Sequence, residues 1–464
     1  MTADPQNLTD LGNSRRLVER HGANLRYCPS LGWFAWDTRR WAKDDTAEVM
    51  RDAKETARSI YAEAEVADDP EERKRLAKWA MRSEAEPQLR RMIALAQSET
   101  EVVVRPERLD ADSWLLTVLN GTLDLRRGEL RPHRREDLIT KLAPVAYDPE
   151  ATCPTWAACL RRWFAEDAAL IRFVQKAAGH SLTGDTREQV IFIPYGTGSN
   201  GKTSFVRVLL DLLGDYGCQT RTETLLVKRG DAIPNDVARL HRARLVAAVE
   251  ADAGRRLAEG LVKQLSGGDR VVARFLHREF FEFTPTFKVW LAVNHKPTIR
   301  GTDHAIWRRV RLIPFDVTIP EREQDRALVE RLKGELPGIL TWAVEGCQLW
   351  QQEGLGLPLA VRTATAGYRA EMDAVGTFLG ECCVSAPDAE VAVGELYEAY
   401  TTWCARSGEE AVSKKALSTL LEERGFAPGH SETARLRRGL RLRRPDEPEL
   451  PAPVPVGADV EWQP

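Results

Sequence analysis

The chain has 464 residues, which is too long for one compact core and suggests about three domains. Lys and Arg number 66 against 69 Asp and Glu, so the net charge of −3 gives no overall attraction to nucleic acid, and any such surface must be local. The eight cysteines form no C-x-x-C pair and no run approaches the roughly 20 apolar residues that span a bilayer, so we expect no zinc site, no membrane partner and a cytoplasmic location.

Residues 1–150 predict an α+β domain with a helical insert. Aromatic segments at 25–27, 33–36 and 40–41 predict short strands joined by tight turns. Residues 46–101 are rich in Ala, Glu, Lys and Arg and hold few large apolar residues, so we expect exposed helices that are mobile or pack on a partner. Strands are expected again at 102–104 and 115–118. Asn120 and Gly121 would then supply the positive φ angles of a hairpin turn.

The remaining chain divides into four further segments and a tail. Residues 151–185 have apolar side chains at helical spacing and predict two short helices, which we interpret as an oligomerisation segment. Residues 186–316 alternate strand and helix patterns, which indicates a mostly parallel sheet covered on both faces. Residues 317–373 are helical, 374–445 form a last globular piece, and the Pro-rich and acidic residues 446–464 are expected to be disordered.

The most specific motif is a glycine loop between a strand at 190–193 and an amphipathic helix at 205–213. The loop consists of Gly196, Thr197, Gly198, Ser199, Asn200, Gly201, Lys202 and Thr203. Its glycines let successive N–H groups point at phosphate oxygens. Lys202 would reach the β- and γ-phosphates and Thr203 would ligate Mg²⁺. The pattern therefore predicts binding of ATP and Mg²⁺, and a glycine-rich turn with a solvated lysine is the alternative.

Two polar strand ends are expected beside this loop. Glu250 follows the apolar strand 245–249, where a carboxylate would hold Mg²⁺ and polarise the attacking water, with Asp252 as a second candidate. Asn294 follows the apolar strand 287–293 and would contact the γ-phosphate as a sensor. The alternatives are a buried strand that ends in a solvated acid, and an asparagine that only precedes a turn.

Three arginines accompany the next apolar strand, at 307–315. On a strand, Arg309 and Arg311 would share one face and Arg308 would take the other. One of them would act as an arginine finger, which supplies positive charge to the transition state in a neighbouring subunit. We prefer Arg309 and keep Arg308 as the second choice. Solvated arginines on an edge strand are the alternative.

The order of these motifs resembles the superfamily 3 helicases. The order runs from the glycine loop through Glu250, the segment 263–269 with Arg274, and 294–297 to Arg308 and Arg309. The chain is similar in particular to the phage and plasmid primase-helicases related to the poxvirus primase-helicase, and residues 25–41 and 120–125 resemble that family's pre-helicase domain. No carboxylate or zinc-ligand cluster precedes Leu109, so we do not expect this chain to synthesise primers.

The resemblance implies a P-loop NTPase core of the AAA+-like kind. It also implies a ring, with a hexamer as the expected form, that binds ATP between subunits and moves 3′ to 5′ along one DNA strand. The family carries a hairpin that points into the central channel, and here 271–276 and 280–283 would be its strands. Candidate DNA contacts in and beside the hairpin are Lys263, Arg274, His277 and Arg278. Such side chains neutralise a phosphate backbone without reading its sequence.

Residues 374–445 resemble the winged-helix domain that relatives carry at this end. Two helices are expected at 396–404 and 413–426, the second capped by Ser413 and ended by Gly425. Lys414 and Lys415 would enter a DNA groove with the second helix, while the ribbon 435–444, with six arginines, would follow phosphates. A small protein-interaction domain with a charged rim is the alternative.

The sequence thus favours an ATP-dependent DNA helicase that replicates a phage, plasmid or integrated mobile element in the cytoplasm of a bacterial host. Its partners would be single-stranded and forked DNA, further copies of itself and a separate primase or polymerase. The main alternative is a nucleotide-gated DNA clamp or assembly ATPase that does not unwind DNA. A small-molecule phosphotransferase is a weaker alternative, because no acceptor pocket stands out.

Overall fold

The computed structural model describes residues 7–227, 235–249, 255–274, 279–300, 304–431 and 434–444, together with residue 447. Within these residues the chain has a mixed α/β architecture built around a parallel sheet of five strands. Three smaller antiparallel sheets of three strands and one two-stranded hairpin accompany it.

The N-terminal region joins a small sheet to a group of helices. Its elements are α1 (Asp10–His21), β1 (Leu25–Cys28), β2 (Gly32–Trp36), β3 (Trp41–Lys43), α2 (Glu48–Val66), α3 (Pro70–Ser83) and α4 (Glu86–Ala96). Helix α1, which the sequence did not predict, packs against α2 and α4 around a core that includes Leu17, Ala53, Ala57 and Met92. The helical insert thus packs within its own chain, because small alanines allow close packing, and its mobility or contact with a partner stays a prediction.

A second small sheet follows, with strands β4 (Leu115–Val118), β5 (Gly121–Asp124) and β6 (Glu129–Arg131). The expected hairpin is present, but Gly121 is already paired with Val118, and neither Asn120 nor Gly121 has a positive φ. Asn120 instead exchanges two side-chain hydrogen bonds of 2.9 Å with the backbone of Tyr147. The expected strand at 102–104 is reduced to a single bridge between Tyr27 and Val103.

The central region supplies the parallel sheet. Its elements are α5 (Pro154–Trp163), α6 (Ala168–Leu182), β7 (Ile191–Tyr195), α7 (Lys202–Leu213), β8 (Gly217–Thr220), α8 (Asn235–Ala238), β9 (Leu245–Val249), α9 (Glu259–Gly267), β10 (Val271–Arg274), β11 (Phe280–Phe283), β12 (Lys288–Ala292), α10 (His304–Trp307) and β13 (Val310–Pro314). The strand order is β13-β7-β12-β9-β8, and every neighbouring pair is parallel.

Aromatic side chains fill the space between the sheet and the helices on one of its faces. Phe192 of β7 and Trp290 of β12 have ring centroids 4.5 Å apart, and Phe205 of α7 lies 5.5 Å from Trp290. Trp156 of α5 stacks on Phe205 at 5.4 Å. Helices α5 and α6 are thus packed on the sheet of their own chain, and their part in oligomerisation remains a prediction.

Three more helices, α11 (Leu328–Gly334), α12 (Leu336–Glu353) and α13 (Leu359–Glu371), follow the sheet. Helix α12 packs closely on α6, with Gly179 and Gly346 at the contact. The C-terminal region then contains α14 (Ala374–Cys382), β14 (Cys383–Ala392), α15 (Val393–Ser407), α16 (Lys414–Glu423), β15 (Pro428–His430) and β16 (Arg435–Leu442). Its antiparallel sheet has the order β14-β16-β15 and covers a core with Phe378, Tyr400 and Leu417.

The close contact of α6 and α12 gives a stability prediction. A Cβ at Gly179 would lie 2.1 Å from the backbone nitrogen of Cys347 and 2.5 Å from the carbonyl oxygen of Ala343. Gly179→Ala should therefore lower the free energy of unfolding by about 1–3 kcal/mol. Gly367→Ala, in α13 with open space around it, should raise that free energy by about 0.5–1 kcal/mol. Denaturant titration measures both, and equal effects would contradict the packing.

Candidate nucleotide-binding site

The predicted phosphate loop, residues 196–203, connects β7 to the first turn of α7. Gly201 has a φ of +88°, and a Cβ at this position would lie 2.2 Å from the indole of Trp163. Ser199 also has a positive φ, of +49°. Glycine is therefore required at 201 both by the backbone conformation and by the packing of α5 against the loop.

Lys202 and Asn200 are held inside the loop by hydrogen bonds. Nζ of Lys202 donates to Oδ1 of Asn200 at 3.3 Å, and Nδ2 of Asn200 donates to the carbonyl of Phe315 at 3.0 Å. Lys202 is only 5% exposed, whereas Thr203 is exposed on the first turn of α7. An ammonium group, a hydroxyl group and the N-terminus of a long helix thus converge here. The ammonium and the N–H groups suit phosphate, and the hydroxyl oxygen suits a divalent cation.

Asn294 lies at the tip of β12, directly beside the loop. The N–H of Val293 donates to the carbonyl of Pro194 at 2.9 Å, and the N–H of Gly196 donates to the carbonyl of Val293 at 3.4 Å. Among the described residues, Oδ1 of Asn294 is buried and has no hydrogen-bond partner. Buried polar atoms rarely stay unpaired, so a polar group of a bound ligand or a water would complete this site.

The strand that leads to the predicted acidic residues ends at the same edge of the sheet. Val249, the last residue of β9, is paired with Ala292 of β12, and its carbonyl accepts a hydrogen bond of 3.2 Å from the Thr222 hydroxyl. Glu250 and Asp252 themselves lie outside the described residues, so their roles stay predictions. The order β7-β12-β9 puts the strand of Asn294 between the loop strand and the acidic strand.

The two candidate finger arginines lie at the opposite edge of the sheet, where the parallel strands begin, whereas the phosphate loop lies at the edge where they end. Val310, at the start of β13, is paired with Ile191, whereas Pro314 is paired with Tyr195 just before the loop. At about 3.3 Å per residue, the two edges are roughly 13 Å apart along the strand. Arg308 and Arg309 therefore lie far from the phosphate loop of their own chain.

The expected alternation of three arginines along one strand is wrong. Arg308 and Arg309 form a turn after α10, and only Arg311 belongs to β13. Arg309 is 8% exposed and donates to the carbonyl of Ala305 at 2.7 Å, whereas Arg308 is exposed. Burial lowers the pKa of the Arg311 guanidinium, which donates to the carbonyl of Arg308 at 2.7 Å.

Sequence reasoning missed Gln189, which connects both arginines to helix α9. Its Oε1 accepts hydrogen bonds from Arg308 at 3.0 Å and from Arg309 at 3.4 Å. Its Nε2 donates to the carbonyl of Gly267, the last residue of α9, at 3.3 Å. A lone glutamine before a strand belongs to no motif, so nothing in the sequence pointed to this residue.

Strands β10 and β11 form the hairpin that the sequence predicts after α9. Arg274 is paired with Phe280, and its guanidinium lies 4.6 Å from the centroid of that ring. Phe280 is 58% exposed, while Lys263 is partly buried on α9. His277 and Arg278, the expected tip residues, lie outside the described residues.

The base of the hairpin packs on His241. The imidazole centroid lies 5.5 Å from the ring of Phe281 and 5.2 Å from that of Phe283. Burial, with a smaller effect of the positive charges of Arg242 and Lys141, lowers the pKa of His241 to about 4. The imidazole is therefore neutral near pH 7 and supports the hairpin as an aromatic surface.

In the C-terminal region, Lys414 and Lys415 are exposed in the first turn of α16, which Ser413 caps as expected. The arginines of β16 depart from the expectation of a ribbon that follows phosphates. Ion pairs within the domain join Arg437 to Glu422 at 2.7 Å, Arg438 to Glu390 at 2.9 Å and Arg441 to Glu447 at 2.6 Å. These three cations are neutralised within the chain, by acids that are distant in sequence or lie in the tail.

Two family models match parts of the chain on either side of the parallel sheet. The family described as D5 N terminal like matches residues 14–165, and the family described as Poxvirus D5 protein-like matches residues 370–432. The chain is therefore similar to both families over these residues, and its predicted resemblance to the primase-helicases related to the poxvirus protein is confirmed.

Curated relatives come from large DNA viruses. A "Putative helicase" of Acanthamoeba polyphaga mimivirus is 25% identical over 320 residues, which cover 64% of this chain and 33% of the relative. A "Putative helicase" of Frog virus 3 is 25% identical and covers 64% of this chain and 39% of the relative. A "Putative primase" of African swine fever virus is 25% identical, with 64% and 34% covered. The chain thus spans between a third and two fifths of the length of these relatives.

Among solved structures, the apo C-terminal region of NrS-1 matches with a TM-score of 0.43 and 11% identity, covering 67% of this chain and 86% of that one. Across the part of the chain that the structure describes, no helix combines the length and the apolar character needed to cross a bilayer.

The low pKa of His241 predicts that acid weakens the hairpin. Because the folded-state pKa, about 4, lies below the ordinary value of 6.5, protons bind preferentially to the opened state as pH falls through this window. The free energy of local opening should drop by about 1–2 kcal/mol between pH 7 and pH 4.5, allowing for partial solvent screening. Hydrogen-exchange protection of Phe281 and Phe283 measures it. His241→Phe should remove the pH dependence, and an unchanged dependence in that variant would contradict the assignment.

Proposed function

We propose that the chain is an ATP-dependent DNA helicase of superfamily 3 that works as a ring, with six subunits and 3′ to 5′ movement as the family resemblance implies. The observation that carries the proposal is that different functional groups lie at the two edges of the parallel sheet, where its strands begin and where they end. The phosphate loop and the Asn294 oxygen, which has no partner among the described residues, lie at one edge, and the arginine pair lies at the other. This arrangement supports a nucleotide site shared by two neighbouring subunits.

Each residue at the loop edge has a proposed role. The Lys202 ammonium would neutralise the β- and γ-phosphates, leaving Asn200 for this stronger partner, and the loop N–H groups would bind the remaining oxygens. Thr203 and Glu250 would hold Mg²⁺, whose chemistry there is to polarise the phosphates and the attacking water. Glu250, with Asp252 as the second candidate, would orient that water. The Asn294 oxygen, unpaired within the part of the chain that the structure describes, suits a hydrogen bond from the same water.

The arginines could contact a bound nucleotide only in a second subunit. An arginine that lies roughly 13 Å along the strand from the loop cannot touch a phosphate bound in its own chain. A head-to-tail ring brings this edge of one subunit to the loop edge of the next, and such heterologous contacts close into rings. Arg309 remains the preferred finger, and its burial in the single chain implies that it is released when the neighbour binds. Arg308 is already exposed, although it too would leave its hydrogen bond to Gln189, and it is the second choice.

DNA would be held by the hairpin and by the helix that precedes it. Lys263, Arg274, His277 and Arg278 supply positive charge for a phosphate backbone. The exposed ring of Phe280, already stacked on the Arg274 guanidinium, offers a flat apolar surface on which a base can stack. A cation beside an aromatic ring suits a single strand, which exposes both phosphates and base faces.

The C-terminal domain is proposed to be a winged helix that binds duplex DNA. Its described elements follow the order helix, strand, two helices and two strands. Lys414 and Lys415 lie exposed at the start of α16, where they would contact phosphates as the helix enters a groove. The proposed partners are single-stranded and forked DNA and a separate primase or polymerase, in the cytoplasm of the cell in which the phage, plasmid or other mobile element replicates.

Lys202→Ala should abolish ATP hydrolysis, because the phosphates lose the ammonium group that faces them. We expect a loss of about 100-fold or more in turnover, measured as phosphate release with Mg²⁺ present. Lys54→Ala changes an exposed lysine on α2 and should leave turnover unaltered. Equal turnover in the Lys202 variant and the wild type would defeat the assignment of the site.

Arg309→Ala should leave ATP affinity within about threefold of the wild type and reduce turnover by about 10³-fold. Mixing it with Lys202→Ala subunits should restore part of the hydrolysis, since an intact loop then meets an intact arginine across some interfaces. Arg308→Ala tested in the same way decides between the two candidates. Arg172→Ala, at an exposed ion pair with Glu353, is the control. If neither mixture regains hydrolysis, the arginines do not act across an interface.

A further inference from the structure

Gln189 stands where three functional parts of the chain meet. It precedes β7, whose far end carries the phosphate loop, and it is hydrogen-bonded to both candidate finger arginines. The third contact is the bond from its side-chain amide to the carbonyl of Gly267. None of the sequence motifs described above includes Gln189.

Gly267 connects this contact to the hairpin over a short distance in the chain. It is the last residue of α9, and β10 begins at Val271. The intervening turn is held by a hydrogen bond of 3.0 Å from the Gln264 side chain to the carbonyl of Arg270. A displacement of the α9 end therefore moves the base of the hairpin that carries Arg274.

The amide of Gln189 suits such a connection because its two ends have opposite polarity. Oε1 can only accept hydrogen bonds, here from two guanidinium groups, and Nε2 can only donate them, here to the helix-end carbonyl. Gln189 also has a φ of +51°, a backbone conformation that non-glycine residues adopt rarely and that its contacts must maintain. One side chain thus fixes the arginines and the end of α9 at the same time.

We propose that Gln189 is a positioning residue that couples the nucleotide in the neighbouring subunit to the DNA hairpin of its own subunit. When the arginine pair turns towards a phosphate across the interface, the bonds to Oε1 weaken, the amide reorients, and Gly267 loses or changes its partner. The inference rests on the proposed function, because it needs both a shared nucleotide site and a DNA-binding hairpin. It adds the route by which the two sites affect each other.

The test measures the linkage between the two ligands. Affinity for a single-stranded oligonucleotide is measured by fluorescence anisotropy on the full chain, with and without a non-hydrolysable ATP analogue and Mg²⁺. We expect the analogue to change wild-type DNA affinity by a factor within the usual range of about 5 to 150. By reciprocity, DNA changes the affinity for the analogue by the same factor.

Two variants of Gln189 distinguish the contribution of its amide oxygen from that of its amide nitrogen. Gln189→Met keeps the approximate size of the side chain and removes both contacts. Gln189→Glu keeps the acceptor for the arginines but cannot donate to Gly267. Both should reduce the linkage factor to within about twofold of unity, while each ligand alone keeps its affinity. Gln348→Met, which removes a comparable amide-to-carbonyl bond of 3.0 Å to Arg127, is the control and should keep the wild-type factor.

The outcomes are distinct. If the wild type shows linkage and Gln189→Glu retains it, the bond to Gly267 carries no coupling and the inference fails while the proposed function stands. The inference fails in the same way if Gln189→Met retains the linkage. If the wild type itself shows no linkage although it binds both ligands, the proposed motor fails and takes the inference with it. Thermal melting of each variant distinguishes a loss of linkage from a loss of fold.

Discussion

The register of β12 between β7 and β9 is the constraint on which the proposed site depends. A slip of one residue would turn Asn294 away from the loop, because side chains alternate between the faces of a strand. Buried cations hold the start of the strand in place. Lys288 donates to the carbonyls of Thr183 and Asp185, and burial holds the pKa of its ammonium well below the ordinary value. Arg244 likewise donates to two backbone carbonyls. Charged groups that are costly to bury are thus used to fix the alignment of the strands.

The same register places two sets of polar groups at opposite ends of the strands, one strand length apart. One edge of the sheet presents groups that suit phosphate and Mg²⁺, and the other presents arginines that the chain itself cannot use. Under the proposed function, a single subunit would hold complementary halves of two different sites. The hairpin is attached to the arginine edge through α9 and Gln189. Under our proposals, these few hydrogen bonds would connect subunit assembly and nucleotide chemistry to DNA contact.

The parts of this fold that were predictable are those fixed by local rules. The phosphate loop follows from its glycines and their flanking strand and helix, whereas the hairpin was expected only because the family that the chain resembles carries one there. The packing of α2 to α4 on α1 was not predictable, because alanines such as Ala53 and Ala57 form a core only when a matching helix is close. Three further features were not predictable either. The turn at Arg308 breaks the strand pattern. The contact of Arg437 with Glu422 and the contacts of Gln189 join residues that are distant in the chain. Local sequence patterns do not indicate such contacts.

The most direct test of the proposed motor combines ATP hydrolysis with unwinding of a forked duplex that carries a 3′ single-stranded tail. It compares the wild type with a variant in which Arg274→Ala and Phe280→Ala remove the described DNA-facing groups of the hairpin. We predict that single-stranded DNA stimulates hydrolysis, that the wild type separates the fork, and that the variant hydrolyses ATP at the DNA-free rate without unwinding. Hydrolysis without unwinding by the wild type, unaffected by the variant, would contradict the proposed motor and support a nucleotide-gated clamp.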